Sequence, residues 1–198
     1  VVDSNILKAY SQAINKNVLA VGGKIIYESE DQPFQTYLNH ASRGINQYKQ
    51  YETINYQHLL FGNCIIKRSV FHKINLNLTL RAYGGEELEF AYRLNIKHPQ
   101  QIIACTTAIV TRVDHPKFSI HCLRLEEFGR QNLIILPSAL QTHIVRCPGL
   151  LYQSAIIQMV AYILYKLSVK TYKIPGLGYS MIRLGMLMAI VRGYQKLK

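Results

Sequence analysis

Two carboxylates that directly follow a pair of glycines are the most informative chemical feature of the sequence. They lie in the segment Tyr83-Gly84-Gly85-Glu86-Glu87-Leu88-Glu89-Phe90. Glycine lets the backbone approach a ligand closely. A helix that begins after Gly85 places Glu86 and Glu87 in its first turn, where the helix dipole favours the ionised carboxylate. Such a carboxylate, held beside a binding cleft, can remove a proton from a hydroxyl group.

The same segment also has an ordinary structural interpretation. Acidic residues in a first helical turn commonly stabilise the helix. Glu89 and Arg93 have the i,i+4 spacing of an ion pair on a helix. The motif alone therefore leaves a catalytic role and a purely structural role open.

Three further polar side chains have ordinary structural interpretations. Asp3 and Asn5 are typical of a turn that caps the next helix. His115, between Asp114 and Pro116, is typical of a satisfied structural histidine.

Hydrophobic spacing places these residues among alternating strands and helices. We predict strands at 18–27, 59–66, 101–105 and 108–113, and helices at 3–16, 67–74, 86–96 and 119–133. The Gly22-Gly23 pair indicates a bulge or a close backbone approach in the first strand. Residues 28–58 are polar and mix loop with helix. The alternation predicts an α/β fold.

The order of these motifs resembles the GT-A fold of the family 2 inverting glycosyltransferases. The resemblance covers roughly residues 1–135 and implies the C-terminal catalytic portion of such an enzyme, without the first strands of the fold. The matching pieces are Val2-Asp3-Ser4-Asn5, Val21-Gly22-Gly23, Phe61-Gly62-Asn63 with Lys67-Arg68, Tyr83 through Leu94, Asp114-His115, and Glu126 through Leu133. The stretch from Tyr83 to Leu94 is the most specific of them.

The resemblance implies a role for each matching residue. Glu87 occupies the position of the catalytic base, where the family has Asp, and Glu86 would hydrogen-bond the acceptor or support its loop. The implied metal ligands are Asp3, Asn5 and His115, with Asn5 standing where the family has an Asp. The implied substrate-binding residues are Asp3, Gly62, Asn63, Gly84, Gly85 and Arg93.

The resemblance also implies a reaction. A nucleotide-diphosphate sugar would bind with Mg²⁺ or Mn²⁺ as cofactor, and Glu87 would deprotonate a hydroxyl of a glycan or lipid-linked acceptor. The sugar would then be transferred with inversion. The opening Val-Val-Asp is typical of the end of a buried strand. We therefore expect upstream sequence to supply the nucleotide pocket, and this piece alone not to turn over.

Positive charge is concentrated in the second part of the chain. The formal net charge is +12, and all 11 acidic residues lie at or before Glu127. We predict basic amphipathic helices at 150–169 and 179–197. They would form a membrane-associated hairpin, 148–198, after a catalytic part, 1–147. Basic and apolar residues together favour an anionic membrane surface over nucleic acid. Short or re-entrant transmembrane spans and an ordinary packed hairpin stay open.

Composition bounds the remaining function classes. A hydrophobic content of 49% with 17% charged residues excludes a disordered chain. The four cysteines lack metal-ligand spacing, so we expect idle thiols in a reducing compartment.

The resemblance and the basic amphipathic tail together imply a setting. It is cell-envelope polysaccharide synthesis at the cytoplasmic face of a membrane, without a nucleic-acid partner.

Two other functions compete with sugar transfer. One is a degenerate, non-catalytic glycosyltransferase-like protein, which the substitutions at Asn5 and Glu87 favour. The other is a binding module whose basic second half contacts a membrane surface or nucleic acid. Metal-dependent binding of a nucleotide sugar discriminates the first rival, and binding to vesicles discriminates the second.

Overall fold

The described chain is a mixed α/β protein that divides into two compact units. The computed structural model describes residues 1–15 and 17–196, so the parts of our predictions that fall on Lys16, Leu197 and Lys198 lie outside it. Unit 1 contains residues 1–29, 38–77 and 86–115, and unit 2 contains residues 30–37, 78–85 and 116 onward. The predicted α/β class is confirmed.

The α-helices of both units are numbered here in chain order. They are α1 (Ile6–Ala13), α2 (Gln32–Leu38), α3 (Arg68–Phe71), α4 (Glu86–Lys97), α5 (Phe118–Gln131), α6 (Ser138–Val145), α7 (Ala155–Thr171) and α8 (Gly178–Gln195). Helix α6 was not predicted from the sequence, because its apolar residues follow no clear helical stripe.

Among the described residues, unit 1 is built on a three-stranded mixed sheet. Its strands are β1 (Ala20–Tyr27), β2 (Cys64–Ile66) and β3 (Ile102–Arg112), in the order β2-β1-β3. Strand β1 pairs antiparallel with β2 and parallel with β3. The strand predicted at 59–66 is shorter in the structure, because Phe61–Asn63 form a 3-10 helical turn.

Strand β3 is one strand with a bulge, so the prediction of two strands in this region is wrong. Gly23 pairs with Cys105, but the next residue of β1, Lys24, pairs with Ile109. Residues 106–108 of β3 therefore bulge out of the ladder, which continues on both sides of them. The irregularity predicted at Gly22-Gly23 is confirmed.

Helices cover both faces of this sheet, because the strands are apolar on both faces. Successive residues of a strand point to opposite faces. Ala20 and Ile102 lie in a core with Phe90 of α4. Their neighbours Val21 and Ile103 lie in a second core with residues of α1. The sheet thereby fixes α4, the helix that carries the paired carboxylates.

Helix α8 is the central element of unit 2. It packs against both α5 and α7, and its buried residues include Ile182, Met188 and Val191. The hairpin predicted at 148–198 contains α7 and α8. In the structure α8 lies in one compact unit with α5, because apolar residues of α8 need a partner surface that α7 alone does not supply.

Two glycines let α5 and α8 meet backbone to backbone. A Cβ atom at Gly193 would lie 1.9 Å from the carbonyl oxygen of Glu126, and one at Gly129 would lie 2.1 Å from that of Ile190. These distances are far inside van der Waals contact. The helices must therefore separate to admit any side chain at either position.

Asp31 connects the start of α5 to the end of α7. Its buried carboxylate accepts hydrogen bonds from the backbone N–H of Phe118, at 3.0 Å, and from the hydroxyl of Tyr172, at 2.9 Å. Negative charge is favourable at a helix N-terminus, where backbone N–H groups lack helical partners. Burial, followed by the bond to Asp31, raises the pKa of Tyr172.

All four cysteines carry free thiols, as expected from the sequence. Cys105 and Cys122 are buried, Cys64 is half-buried and Cys147 is exposed. Burial raises the pKa of Cys64 to about 11 and that of Cys122 to about 12.

No helix within residues 1–15 and 17–196 has both the length and the apolar character needed to cross a membrane.

We expect Gly193→Ala to lower the free energy of unfolding by about 1–3 kcal/mol, the usual cost of overpacking. The added methyl group would collide with the Glu126 backbone, although alanine is the better helix former. Gly149→Ala is the matched control, because its new Cβ would have Cys147 Sγ as nearest neighbour at 3.9 Å. Urea denaturation followed by circular dichroism measures both. A Gly193→Ala variant as stable as wild type would contradict the close contact.

Candidate functional site

The backbone at Gly84 and Gly85 sets the start of α4. Their φ angles are +84° and +99°, a region that a side chain disfavours. Helix α4 begins at the next residue, and its first turn carries Glu86, Glu87 and Glu89. The predicted helix start, with its acidic residues in the first turn, is confirmed.

Glu87 is a half-buried carboxylate held by a backbone hydrogen bond. Its Oε2 accepts from the N–H of Phe61 at 3.0 Å. Burial has the largest influence on the pKa of Glu87 and raises it, and the negative charge of Glu86 adds to this effect. The bond from Phe61 and the charge of Arg112 act in the opposite direction. A pKa above the ordinary glutamate value is the direction that favours a general base near neutral pH.

Glu86 precedes Glu87 and presents a buried oxygen. Its Oε2 makes no hydrogen bond to any described residue. Buried polar atoms in proteins are normally hydrogen-bonded, so this oxygen has the capacity to accept a further bond. A carboxylate such as that of Glu87 can remove a proton from a hydroxyl group placed beside it.

Arg93, implied by the resemblance to bind substrate, is engaged in an ion pair. Its Nε and Nη2 contact Oε1 and Oε2 of Glu89 at 2.6 and 2.8 Å, and Nη2 also donates to the carbonyl oxygen of Asn75 at 2.6 Å. Glu89 is buried. The guanidinium is engaged by Glu89 and Asn75, and removing it would leave the buried charge of Glu89 uncompensated. The structure therefore favours the ion-pair interpretation of Arg93.

Asn63, also implied to bind substrate, closes the bulge between β1 and β3. Its buried Nδ2 donates to the carbonyl oxygens of Lys24, at 2.8 Å, and Ala108, at 2.9 Å. Its Oδ1 accepts from the hydroxyl of Tyr10 at 2.5 Å. A Cβ atom at Gly23 would lie only 2.4 Å from Asn63 Nδ2. The side chain of Asn63 is therefore used by the fold.

Gln50 holds the other side of the same bulge. Its Oε1 accepts from the N–H and the hydroxyl of Thr106, both at 2.6 Å, and its Nε2 donates to the hydroxyl of Thr107 at 3.2 Å. Neither Gln50 nor Tyr10 was predicted from the sequence to have a specific role. The apolar spacing of α1 places Tyr10 on its buried side, but nothing in the polar region 28–58 distinguishes Gln50.

Two of the three predicted metal ligands, Asp3 and His115, have structural partners, and the third, Asn5, bonds Asp3 through its backbone N–H. Asp3 Oδ1 accepts from the backbone N–H of Asn5 at 2.7 Å, which forms the turn before α1. His115 is buried, and its ring meets the edge of Tyr27 with the centroids 4.9 Å apart. In the part of the chain that the structure describes, no group of three or more His, Cys, Asp or Glu side chains could hold a metal ion. A Mg²⁺ or Mn²⁺ site stays a prediction.

A small cleft opens in unit 1 beside β1. It is lined in part by Gly23, Ile25, Arg43 and Leu60, and its volume is about 60 Å³. Ligand pockets usually have volumes of about 300 Å³ or more. This cleft is too small to hold a nucleotide sugar.

Comparison with known proteins gave no relative. No protein-family model matches the chain, and neither a curated protein nor a solved structure matches it. The resemblance to family 2 glycosyltransferases therefore rests on the order of the motifs in the sequence.

We expect Asn63→Ala to lower the free energy of unfolding by about 2 kcal/mol or more, because it leaves buried polar groups of Tyr10, Lys24 and Ala108 without this partner. Asn55→Ala is the matched control, since Asn55 is exposed and accepts one local bond, from the N–H of Gln57. Chemical denaturation compares the two variants. Unchanged stability in Asn63→Ala would contradict the structural role of this amide.

Proposed function

We propose that this chain carries the acceptor-activating part of an inverting sugar transfer, in a GT-A fold of the family 2 type. One observation carries the proposal. Glu87 lies in the first turn of α4 with a raised pKa and a backbone hydrogen bond that fixes its carboxylate. The buried oxygen of Glu86, the mixed α/β sheet and the order of the sequence motifs support it.

In the proposed reaction, Glu87 acts as general base. The acceptor hydroxyl gives its proton to the carboxylate as its oxygen attacks the anomeric carbon of the donor sugar. The bond between that carbon and the diphosphate breaks on the opposite face, so the configuration inverts and the nucleoside diphosphate leaves. Glu86 accepts a hydrogen bond that orients the acceptor. The acceptor class is a glycan or lipid-linked molecule of the cell envelope.

The remaining predicted residues have different parts in this proposal. Asp3 is exposed and can contact the ribose, and Gly62 is exposed within the turn whose Phe61 N–H holds Glu87. Asn63 and Arg93 stabilise the structure around Glu87, Asn63 at the bulge and Arg93 in its ion pair with Glu89. A Mg²⁺ or Mn²⁺ ion would neutralise charge on the leaving diphosphate, with Asp3, Asn5 and His115 as its predicted ligands.

A non-catalytic relative of these enzymes is the second candidate function. The observation in its favour is the bond between Asp3 Oδ1 and the N–H of Asn5, which gives the first predicted metal ligand a structural role. Binding of a uridine or guanosine diphosphate sugar without turnover would support this candidate over the enzyme.

We expect Glu87→Gln to lower turnover by about 10²–10⁴-fold, the contribution of a general base. Glutamine keeps the size of the side chain and an oxygen that can accept from Phe61 N–H, so the fold and donor binding should be preserved. The assay measures release of nucleoside diphosphate from a panel of sugar donors by the protein at its full natural length, with Mg²⁺ or Mn²⁺. Glu127→Gln, at an exposed position of α5, is the control. Retained activity in Glu87→Gln would remove this residue from the role.

The pH dependence of kcat/KM provides a separate prediction. A base must be ionised, so activity is lost as pH falls through the pKa of Glu87. Because burial raises that pKa, the loss should occur at a higher pH than for an unperturbed glutamate, at about 4.3. Arg112 lowers the pKa of Glu87, so Arg112→Gln should move the acid limb to still higher pH. An acid limb at the unperturbed value, or one that Arg112→Gln does not move, would contradict the assignment.

A further inference from the structure

Helix α7 is apolar on two sides, and only one of them is covered. Ala161, Tyr165 and Ser168 are buried, and α7 packs against α8. With about 100° between successive residues, the side opposite these three carries a second apolar stripe. Its members are between 42% and 70% exposed and form what we call the α7 apolar face: Ile156, Met159, Val160, Ile163 and Leu167.

Exposed apolar residues continue beyond both ends of the helix. Tyr152, before α7, is 74% exposed, and Ile174 and Leu177, after it, are 45% and 51% exposed. A helix of 17 residues is about 25 Å long. Ordinary protein surfaces carry exposed apolar residues singly and scattered. A continuous exposed apolar stripe along a whole helix is typical of an interaction site.

Positive charge accompanies this face. Lys166 and Lys170 are exposed in the last two turns of α7, and Lys173 is exposed just after it. The sequence contains no acidic residue after Glu127. Glu126, on α5, pairs with Arg192 and Lys196 of the α8 region. The electrostatic potential near the α7 apolar face is therefore positive, and a partner that binds this face should carry negative charge.

We propose that the α7 apolar face docks on an anionic lipid surface, with the helix axis in the plane of the membrane. Apolar side chains would enter the boundary between head groups and acyl chains, and the long lysine side chains would reach anionic head groups. A second copy that docked through its own α7 apolar face would bring no acidic residue to it, because none follows Glu127. Charge therefore favours lipid over such pairing.

The proposal changes the sequence prediction, in which both C-terminal helices lie on the membrane. Helix α8 packs against α5 as well as α7, and none of its apolar residues is exposed. Of these two helices, as far as the structure describes them, only α7 presents a continuous exposed apolar stripe. The proposal uses unit 2 alone and is independent of the proposed sugar transfer.

Vesicle flotation of the full chain tests the docking. We expect binding to phosphatidylcholine vesicles that contain phosphatidylglycerol, weak binding to phosphatidylcholine alone, and weaker binding as salt concentration rises. Ile163→Glu, at the centre of the face, should weaken binding at least about tenfold. Lys166→Gln with Lys170→Gln should weaken it about 30-fold, or roughly fivefold for each lysine. Leu123→Glu, at a 55% exposed position of α5, should bind like wild type.

Because all of these positions are exposed, thermal melts of the variants should match wild type. Equal binding to neutral vesicles, or wild-type binding by a folded Ile163→Glu variant, would overturn the proposal. Dimerisation in sedimentation experiments without lipid, abolished by Ile163→Glu, would assign the face to a second copy. Salt-sensitive binding to single-stranded RNA that the lysine substitutions weaken and Ile163→Glu leaves unchanged would assign it to nucleic acid.

Discussion

The fold of unit 1 depends on how the bulge between β1 and β3 is closed. A parallel ladder that skips three residues leaves carbonyl groups without strand partners, and such groups are costly when buried. The amide of Asn63 meets this requirement with bonds to the carbonyl oxygens of Lys24 and Ala108, while its own oxygen accepts from Tyr10. One side chain thus joins two strands and α1.

The 3-10 turn that contains Asn63, Phe61–Asn63, also connects the sheet to the proposed base, Glu87. Phe61, at its first position, donates its N–H to Glu87, and Asn63, at its last position, closes the bulge. The carboxylate is therefore held by a short helical turn that is itself bonded to the sheet. Phe90, one helical turn after Glu87, lies in the core below and packs edge-on against the ring of Phe61, with the centroids 5.6 Å apart. Backbone and core contacts fix the same two elements.

Features set by neighbouring residues were predictable from the sequence. The start of α4 after Gly85 and the irregularity at Gly23 are examples, because glycine has a specific backbone role at each. Features set by distant pairing were not. Asn63 and Tyr10 lie 53 residues apart, and the function of that amide depends on a strand register that local patterns do not encode. Likewise, α7 and α8 have similar compositions, and α8 packs closely on α5 because glycines occur at matching positions on the two helices.

Because the four thiols differ in burial, one cysteine of the protein can be labelled selectively. Alkylating reagents require an accessible thiolate, and Cys147 is exposed while Cys105 and Cys122 are buried and Cys64 has a pKa raised to about 11. A fluorophore supplied as a maleimide should therefore attach first at Cys147, without engineered cysteines. Because this residue precedes α7 by eight positions, the dye would report on the polarity around that part of unit 2 in the native sequence.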